Sequence, residues 1–357
     1  MSLARDLLMI GRLAADLPAF LRERVTLDEA RSTLRRRLEK REESLLDVVE
    51  RGVYGHPDSP YLPLLREAGC EFGDLRSMVR ARGIEGALTA IREAGVYVTF
   101  EEFKGRAPIE RSGVVVHPGP RAFDNPLSGR HLTSRSTGST GTPTEVPHDL
   151  DHIVGTAAYR MVSCEAHEVL EAPLGLWRCA PPLGTGLSQV LLSIVMDNPA
   201  RRWFAPMGSE DIRIDTRFRF ATALVLRECR LLGHRVPFPE PVPFSRADVV
   251  ARWGAESAAA EGRCLIRTGV SMALRVAVAA IEGGYGLDGV TFMAGGEPPT
   301  PAKIARIRES GARYVPHYAG SDMGLVGLGC ANPVNESDVH FLEDGLAVLQ
   351  VPHQLPG

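Results

Sequence analysis

The run Ser136-Thr137-Gly138-Ser139-Thr140-Gly141-Thr142-Pro143 concentrates hydroxyls and glycines in one short stretch. Glycine admits φ > 0, so the backbone can turn several amides toward one point, and the hydroxyls add donors without bulk. Convergent donors with no acid among them suit a phosphate cradle. Taken alone, a Ser/Thr/Gly/Pro run reads first as a flexible linker. Its neighbours decide otherwise: a strand is expected over 131–134 and a helix starting near Asp149, the context a ligand loop requires.

The elements that must position this loop alternate along the rest of the chain. Apolar periodicity predicts helices over 150–164, 187–196, 215–232, 247–260, 271–282 and 300–310, with strands or extended segments at 174–180, 202–205, 263–268, 289–294 and 313–318. Units of this length imply an α/β fold, a largely parallel sheet covered by helices on both faces. Ligands in such sheets bind beyond the carboxyl ends of the strands. Three loops fall there: the opening loop, Gly295-Gly296-Glu297-Pro298, and Ala319-Gly320-Ser321-Asp322.

Upstream, residues 3–53 read as helix, with Leu27, Ala30, Leu34, Leu38, Leu45 and Val48 at threes and fours among dense Arg and Glu. The breaker cluster at 55–60 marks a joint, giving a helical arm over 1–57 and a large domain over 58–357. Short helices are expected over 61–106, a buried strand over 113–117, and a proline-rich connection over 237–243.

Composition narrows the function classes. With 357 residues, 44% hydrophobic and 24% charged, and a net charge of −3, the chain has no global pull toward nucleic acid or anionic lipid. Six cysteines lie singly, without a CxxC pair, and read as reduced thiols. The apolar N-terminus is broken by Arg12, Asp16 and Pro18, so neither a signal peptide nor a membrane span is expected, and the reading is a cytoplasmic protein. Only Lys40, Lys104 and Lys303 are lysines among 41 basic residues, so chemistry that needs an ammonium has few candidates. No Walker, GxSxG or HExxH pattern occurs, and no GxGxxG follows a strand.

Three stretches together, STGSTGTPTEV, AGGEPPTPAKIARIRESG and HYAGSDMG, resemble in order and spacing the motifs of the adenylate-forming enzymes, and among them most resemble phenylacetate–coenzyme A ligases. The resemblance runs from about Tyr61 onward and implies the large AMP-binding domain of that superfamily. It implies that Ser136, Thr137, Gly138, Ser139, Thr140, Gly141 and Thr142 hold the β- and γ-phosphates of ATP, with Thr140 taking part in catalysis. Gly295, Gly296, Glu297 and Pro298 would line the adenine slot, with His317, Tyr318, Ala319 and Gly320 beside it and Tyr318 stacking on the base. Ser321 would touch the α-phosphate and Asp322 would hold Mg²⁺, where the family usually has glutamate. The acid would lie among Leu183, Gly184, Thr185 and Gly186, Thr268 and Gly269, and Met293 and Ala294.

The implied reaction is ATP-dependent activation of an aryl or medium-chain acid to an acyl-adenylate, followed by transfer to coenzyme A. Transfer to a protein, such as an acyl-carrier protein, or a non-catalytic nucleotide- or acyl-binding subunit are the alternatives, and homodimerisation is left open. Cys330 and His340 fall short of a four-ligand zinc site and read as packing and surface residues. The family's ribose-binding motif and small mobile domain with its lysine are expected to be missing before Gly357, so this chain alone is expected to adenylate slowly.

Overall fold

The computed structural model describes residues 3–119, 121–129, 132–135, 145–206, 216–320 and 323–351, with the backbone alone described at 3–10, 132–135, 145–148 and 217. In chain order, helices α1 (Leu3–Phe20), α2 (Leu27–Glu39), α3 (Arg41–Val49), α4 (Tyr61–Glu67), α5 (Phe72–Glu93) and α6 (Phe100–Phe103) precede the strands β1 (Ile109–Arg111) and β2 (Val114–Val116). Strands β3 (Leu132–Arg135) and β4 (Glu145–His148) follow, then α7 (Leu150–Ala166), β5 (Leu174–Trp177), α8 (Gly186–Val195) and β6 (Arg202–Ala205). The chain continues through α9 (Thr216–Leu231), β7 (Pro239–Pro241), α10 (Ala247–Glu261), β8 (Cys264–Gly269), α11 (Val270–Glu282) and β9 (Val290–Gly295). It closes with α12 (Pro301–Glu309), β10 (Arg313–Gly320), β11 (Gly324–Gly329) and β12 (Val339–Phe341).

Contact density separates two units, 1–34 with 129–342 and 35–128 with 343–357, so residue 57 falls inside the second. The first unit is built on an eight-stranded sheet in the order β12-β11-β10-β9-β8-β5-β6-β7. Strands β10 through β7 in that order are parallel, while β10, β11 and β12 pair antiparallel. The central strands have the apolar runs that burial on both faces demands: VTFMAG in β9 is buried throughout. Thus the α/β, mostly parallel architecture expected from the alternating pattern is the one observed.

Two cores cover the two faces. On one side α7 and α8 pack Leu150, Ile153, Ala157, Met161, Leu187 and Val190 onto Leu176, Leu265, Met293 and Val315 of the sheet. Leu13, Leu17, Phe20 and Leu21 are buried in this same core, so the start of the chain is a structural part of the unit. On the other side α10, α11 and α12 cover Trp177, Phe204, Ile266, Phe292 and Tyr314. Residues Val270, Ala273, Val276, Ala277 and Ala280 of α11 recur at the helical period and are fully buried. Burying Trp177, Phe204 or Phe292 contributes about 2–3 kcal/mol each by area transfer.

Two local readings are corrected. Within the run over 113–117, Val114–Val116 form β2, but among the described residues it pairs only with β1 in a two-stranded ladder, and Val115 is exposed. The proline-rich connection contains β7, an edge strand beside β6; an edge tolerates Pro239 and Pro241 because their missing N–H groups deprive no further strand.

The second unit, described by itself, packs Leu64, Leu65, Leu75, Val79, Ile84 and Ile109 into a small core. Thr99 caps α6 and closes a capping box with Glu102. Glu102 also receives both guanidinium nitrogens of Arg111 at 2.8 and 3.0 Å.

Candidate active site

The first unit gathers its chemistry at the carboxyl ends of β5, β8, β9 and β10. Register pairs Leu176 with Arg267, Thr268 with Ala294, Gly269 with Gly295, and Gly295 with His317, so these four strand ends lie side by side. Gly295 closes β9 where a side chain would collide with the His317 backbone carbonyl and imidazole, which explains a glycine at that strand end. Gly296 turns with φ +87°, and the space where a side chain would stand is open for at least 4 Å.

That turn aims Glu297 back at the start of α11. Its carboxylate accepts the Ser271 backbone N–H at 2.7 Å and the Ser271 hydroxyl at 2.6 Å, and pairs with the Lys303 ammonium at 3.0 Å. Partial burial works to raise the carboxyl pKa, but the donors of Ser271 and Lys303 outweigh it and hold Glu297 below its ordinary range. Lys303 is placed by the first turn of α12, which Thr300 caps and Pro301 begins. Pro298 is exposed beside this clamp.

Tyr318 stands on β10 with 54% of its surface exposed, one residue beyond the parallel pairing, and a bulge between it and Ala319 shifts the register toward β11. An exposed ring at a strand end is free to take a planar partner. Ala319 and Gly320 are half-buried, and Gly320 pairs with Gly324. Ser321 and Asp322, between them, lie outside the described residues. Ser136 through Thr142 also lie outside them; the residues that bracket this stretch, Arg135 and Glu145, are register partners of the β3–β4 hairpin. Four residues on, Asp149 caps α7 by accepting the His152 N–H at 2.6 Å.

Of the expected acid-binding residues, Thr268, Met293 and Ala294 are buried in adjacent strands, and Thr268 donates its hydroxyl to the Trp177 carbonyl at 3.2 Å. Leu183, Gly184 and Thr185 form the turn after β5, with Leu183 exposed, and Gly186 opens α8 against the Trp203 indole. Among the described residues, no group of three or more His, Cys, Asp and Glu side chains gathers as a metal site, and no helix is long and apolar enough to cross a membrane.

The composition of the sequence hides one cluster altogether. Arg160 of α7, Arg178 just after β5 and Arg267 of β8 meet on the α7-covered face of the sheet with His317. Arg178 donates to the Thr268 carbonyl at 2.6 Å, and Arg267 faces the sulfurs of Cys164 and Met196 at 3.5 and 3.6 Å. Arg160 and Arg267 are 5% and 3% exposed. Burial and the neighbouring guanidiniums push Arg160 down to about 9 and Arg178 to about 10, so both stay charged at neutral pH. Burial and the same three arginines drive His317 well below its ordinary value, leaving its imidazole neutral. The available signal was positional: Arg160 falls at the helical spacing of Ile153, Ala157, Met161 and Cys164, and Arg267 alternates with buried Ile266 in β8.

No family model matches the chain. No curated protein matches it by sequence. Among solved structures, a 2-hydroxyisobutyryl-CoA ligase in complex with its acyl-AMP and CoA is similar at 14% identity and a TM-score of 0.46, covering 85% of this chain and 53% of its own. A fatty acyl-adenylate ligase from L. pneumophila is similar at 13% identity and a TM-score of 0.36, over 59% of this chain and 34% of its own. A long-chain-fatty-acid-CoA ligase from Archaeoglobus fulgidus is similar at 11% and 0.32, over 72% and 42%. The chain spans about half the length of the first of these.

Proposed function

We propose that this chain is the nucleotide-binding part of an AMP-forming acid ligase. A carboxylate oxygen of the acid attacks the α-phosphorus of ATP, the bond to the bridging oxygen breaks, pyrophosphate leaves and acyl-AMP stays bound. The observation that carries this reading is the adjacency, at neighbouring strand ends, of the Gly295-Gly296-Glu297 turn and the Tyr318–Gly320 segment. Their order and spacing after the Ser/Thr/Gly run support the same reading.

In it, the open backbone at Gly296 and the exposed Tyr318 ring receive the adenine, while the Ser271–Glu297–Lys303 clamp fixes the turn between them. The run from Ser136 to Thr142 supplies donors to the β- and γ-phosphates, Thr140 included, and Ser321 reaches the α-phosphate. Catalysis is then positioning plus stabilisation of charge on the phosphoryl oxygens, and no side chain acts as a nucleophile. Mg²⁺ would arrive with ATP and neutralise its phosphates, with Asp322 as the protein ligand. The thiol sulfur of coenzyme A then attacks the acyl carbon, the bond to the phosphate oxygen breaks, and AMP leaves with the thiol proton released to solvent; a carrier protein is the alternative acceptor. The order and spacing of the three motifs, most like those of phenylacetate–coenzyme A ligases, support coenzyme A as the acceptor.

Incubation with ATP, Mg²⁺ and a panel of acids, followed by mass spectrometry of the quenched mixture, tests this. An acyl-adenylate that appears only with a particular acid is expected. ATP binding with no adenylate from any acid would turn the reading toward a nucleotide-binding subunit.

A further inference from the structure

Most buried charges in folded chains are paired, because an unpaired ion in a low-dielectric interior is costly. The cluster of Arg160, Arg178 and Arg267 departs from this rule. Among the described residues none of the three forms an ion pair with a carboxylate, and the charges they feel are each other's and those of nearby thiols. Their donors are also unspent: Nε of Arg160, Nε of Arg178, Nε and one terminal nitrogen of Arg267, and Nδ1 of His317 are sealed from solvent without a hydrogen-bond partner. An anion is what such a set lacks. Guanidiniums offer several donors in a fixed planar fork, which matches a carboxylate in both geometry and charge.

Depth decides which anion. Arg267 pairs with Met293 and Leu176 in the sheet, two residues before the strand ends at Gly269 and Gly295. Two residues of strand span about 6–7 Å. Arg267 therefore lies on the floor beneath the strand ends, in the layer of Thr268, Met293 and Ala294, and His317 stands where this floor meets the Gly295–Gly296 turn.

We infer that this cluster recognises a second carboxylate at the far end of the acid, so that the substrate class is a dicarboxylic acid activated at one end only. The inference rests on the ligase reading for the reaction, while the anion site itself stands on the buried arginines. His317, held neutral, adds a hydrogen bond without a fourth positive charge, and Thr268 fixes Arg178 through its carbonyl.

The test compares the dicarboxylates from succinate to suberate with the monocarboxylates of equal length. In ATP-dependent pyrophosphate release, the best dicarboxylate should exceed its monocarboxylate by about a hundredfold in kcat/KM, since a buried polar site rejects the analogue that leaves it unpaired. Arg267→Met and Arg160→Met should bring that ratio to within about threefold while Tm holds or rises, because removing one of several mutually repelling buried charges relieves the fold. Arg267→Lys keeps the charge without the fork and should keep a reduced preference, about tenfold; it serves where a methionine variant does not fold.

A second arm omits ATP and reads Tm alone. A dicarboxylate that raises the Tm of the unmodified chain but not of Arg267→Met supports the anion site, even where no pyrophosphate is released and the ligase reading itself fails. Equal use of mono- and dicarboxylates, with no Tm shift from either, overturns the inference and leaves the ligase reading standing. A Tm shift from sulfate that matches or exceeds that from every dicarboxylate also overturns it, reducing the cluster to an inorganic-anion site.

Discussion

Lys303 reaches back across the first turn of its helix to hold Glu297, with 3.0 Å between ammonium and carboxylate, and the same carboxylate caps the start of the preceding helix through Ser271. One acidic side chain thereby ties the β9 turn to two helices. Both partners are partly exposed, so the pair itself contributes little, under about 1 kcal/mol. Its value is positional. Lys303→Met is expected to change Tm slightly while raising the KM for ATP about three- to tenfold with kcat less affected, as uniform loss of binding requires. Steady-state kinetics with ATP varied decide it; a normal KM would remove the clamp from the nucleotide site.

Gly295 and Gly296 are neighbours with different reasons for being glycine. At Gly295 an added methyl group meets the His317 carbonyl and ring, and backbone cannot step aside, so Gly295→Ala should cost at least about 2 kcal/mol. At Gly296 the space is open and only the positive φ resists, so Gly296→Ala should cost about 1 kcal/mol. Thermal unfolding of both variants checks the order, and equal effects would contradict it.

The neutral His317 gives stability a defined pH dependence. Its folded pKa lies well below the unfolded value near 6.5, so the unfolded chain binds a proton that the folded chain does not. Stability from this group is full above pH 6.5 and falls as pH drops below it, by up to about 1.4 kcal/mol per pH unit. His317→Gln should flatten that part of the profile. Denaturant melts from pH 7 to pH 5, run on both chains, measure the difference; parallel profiles would show that His317 titrates normally.

In the second unit, the Arg111 guanidinium beside Glu102 is the main cause that lowers its carboxyl to about 2, against some opposition from burial. The pair is largely buried, with side-chain exposures of 14% and 8%. Stability from it is present above the unfolded carboxylate value near 4.5 and is lost as pH falls from there toward 2. Glu102→Gln at pH 7 should weaken the hairpin β1–β2 by about 3 kcal/mol, or roughly a hundredfold faster amide exchange there. Unchanged exchange over these strands would show that the pair adds nothing.

Much of the sheet was legible because its strands announce themselves. Runs such as CLIRTG and VTFMAG, bounded by helices with clean apolar periods, left their type in little doubt, and the observed bounds differ by a residue or two. β7 was hidden because proline at Pro239 and Pro241 normally argues against a strand, and only its edge position permits it. β4 was hidden because EVPH is short and ends a polar run. Strand order was beyond sequence reasoning, since the placement of β5 between β8 and β6 depends on packing of helices on both faces. The candidate site was legible where it consists of glycines, hydroxyls and a tyrosine in local motifs. Its arginines were not: Arg160, Arg178 and Arg267 lie far apart in the chain and look, one by one, like any of the many arginines in this basic-residue usage.

Exchange of labelled pyrophosphate into ATP measures the proposed half-reaction directly, because it requires that acyl-adenylate and pyrophosphate form and recombine on the protein. Exchange is expected to depend on both Mg²⁺ and a carboxylic acid, and to be strongest with a dicarboxylate. A chain that binds ATP yet shows no acid-dependent exchange with any acid of the panel would contradict this expectation.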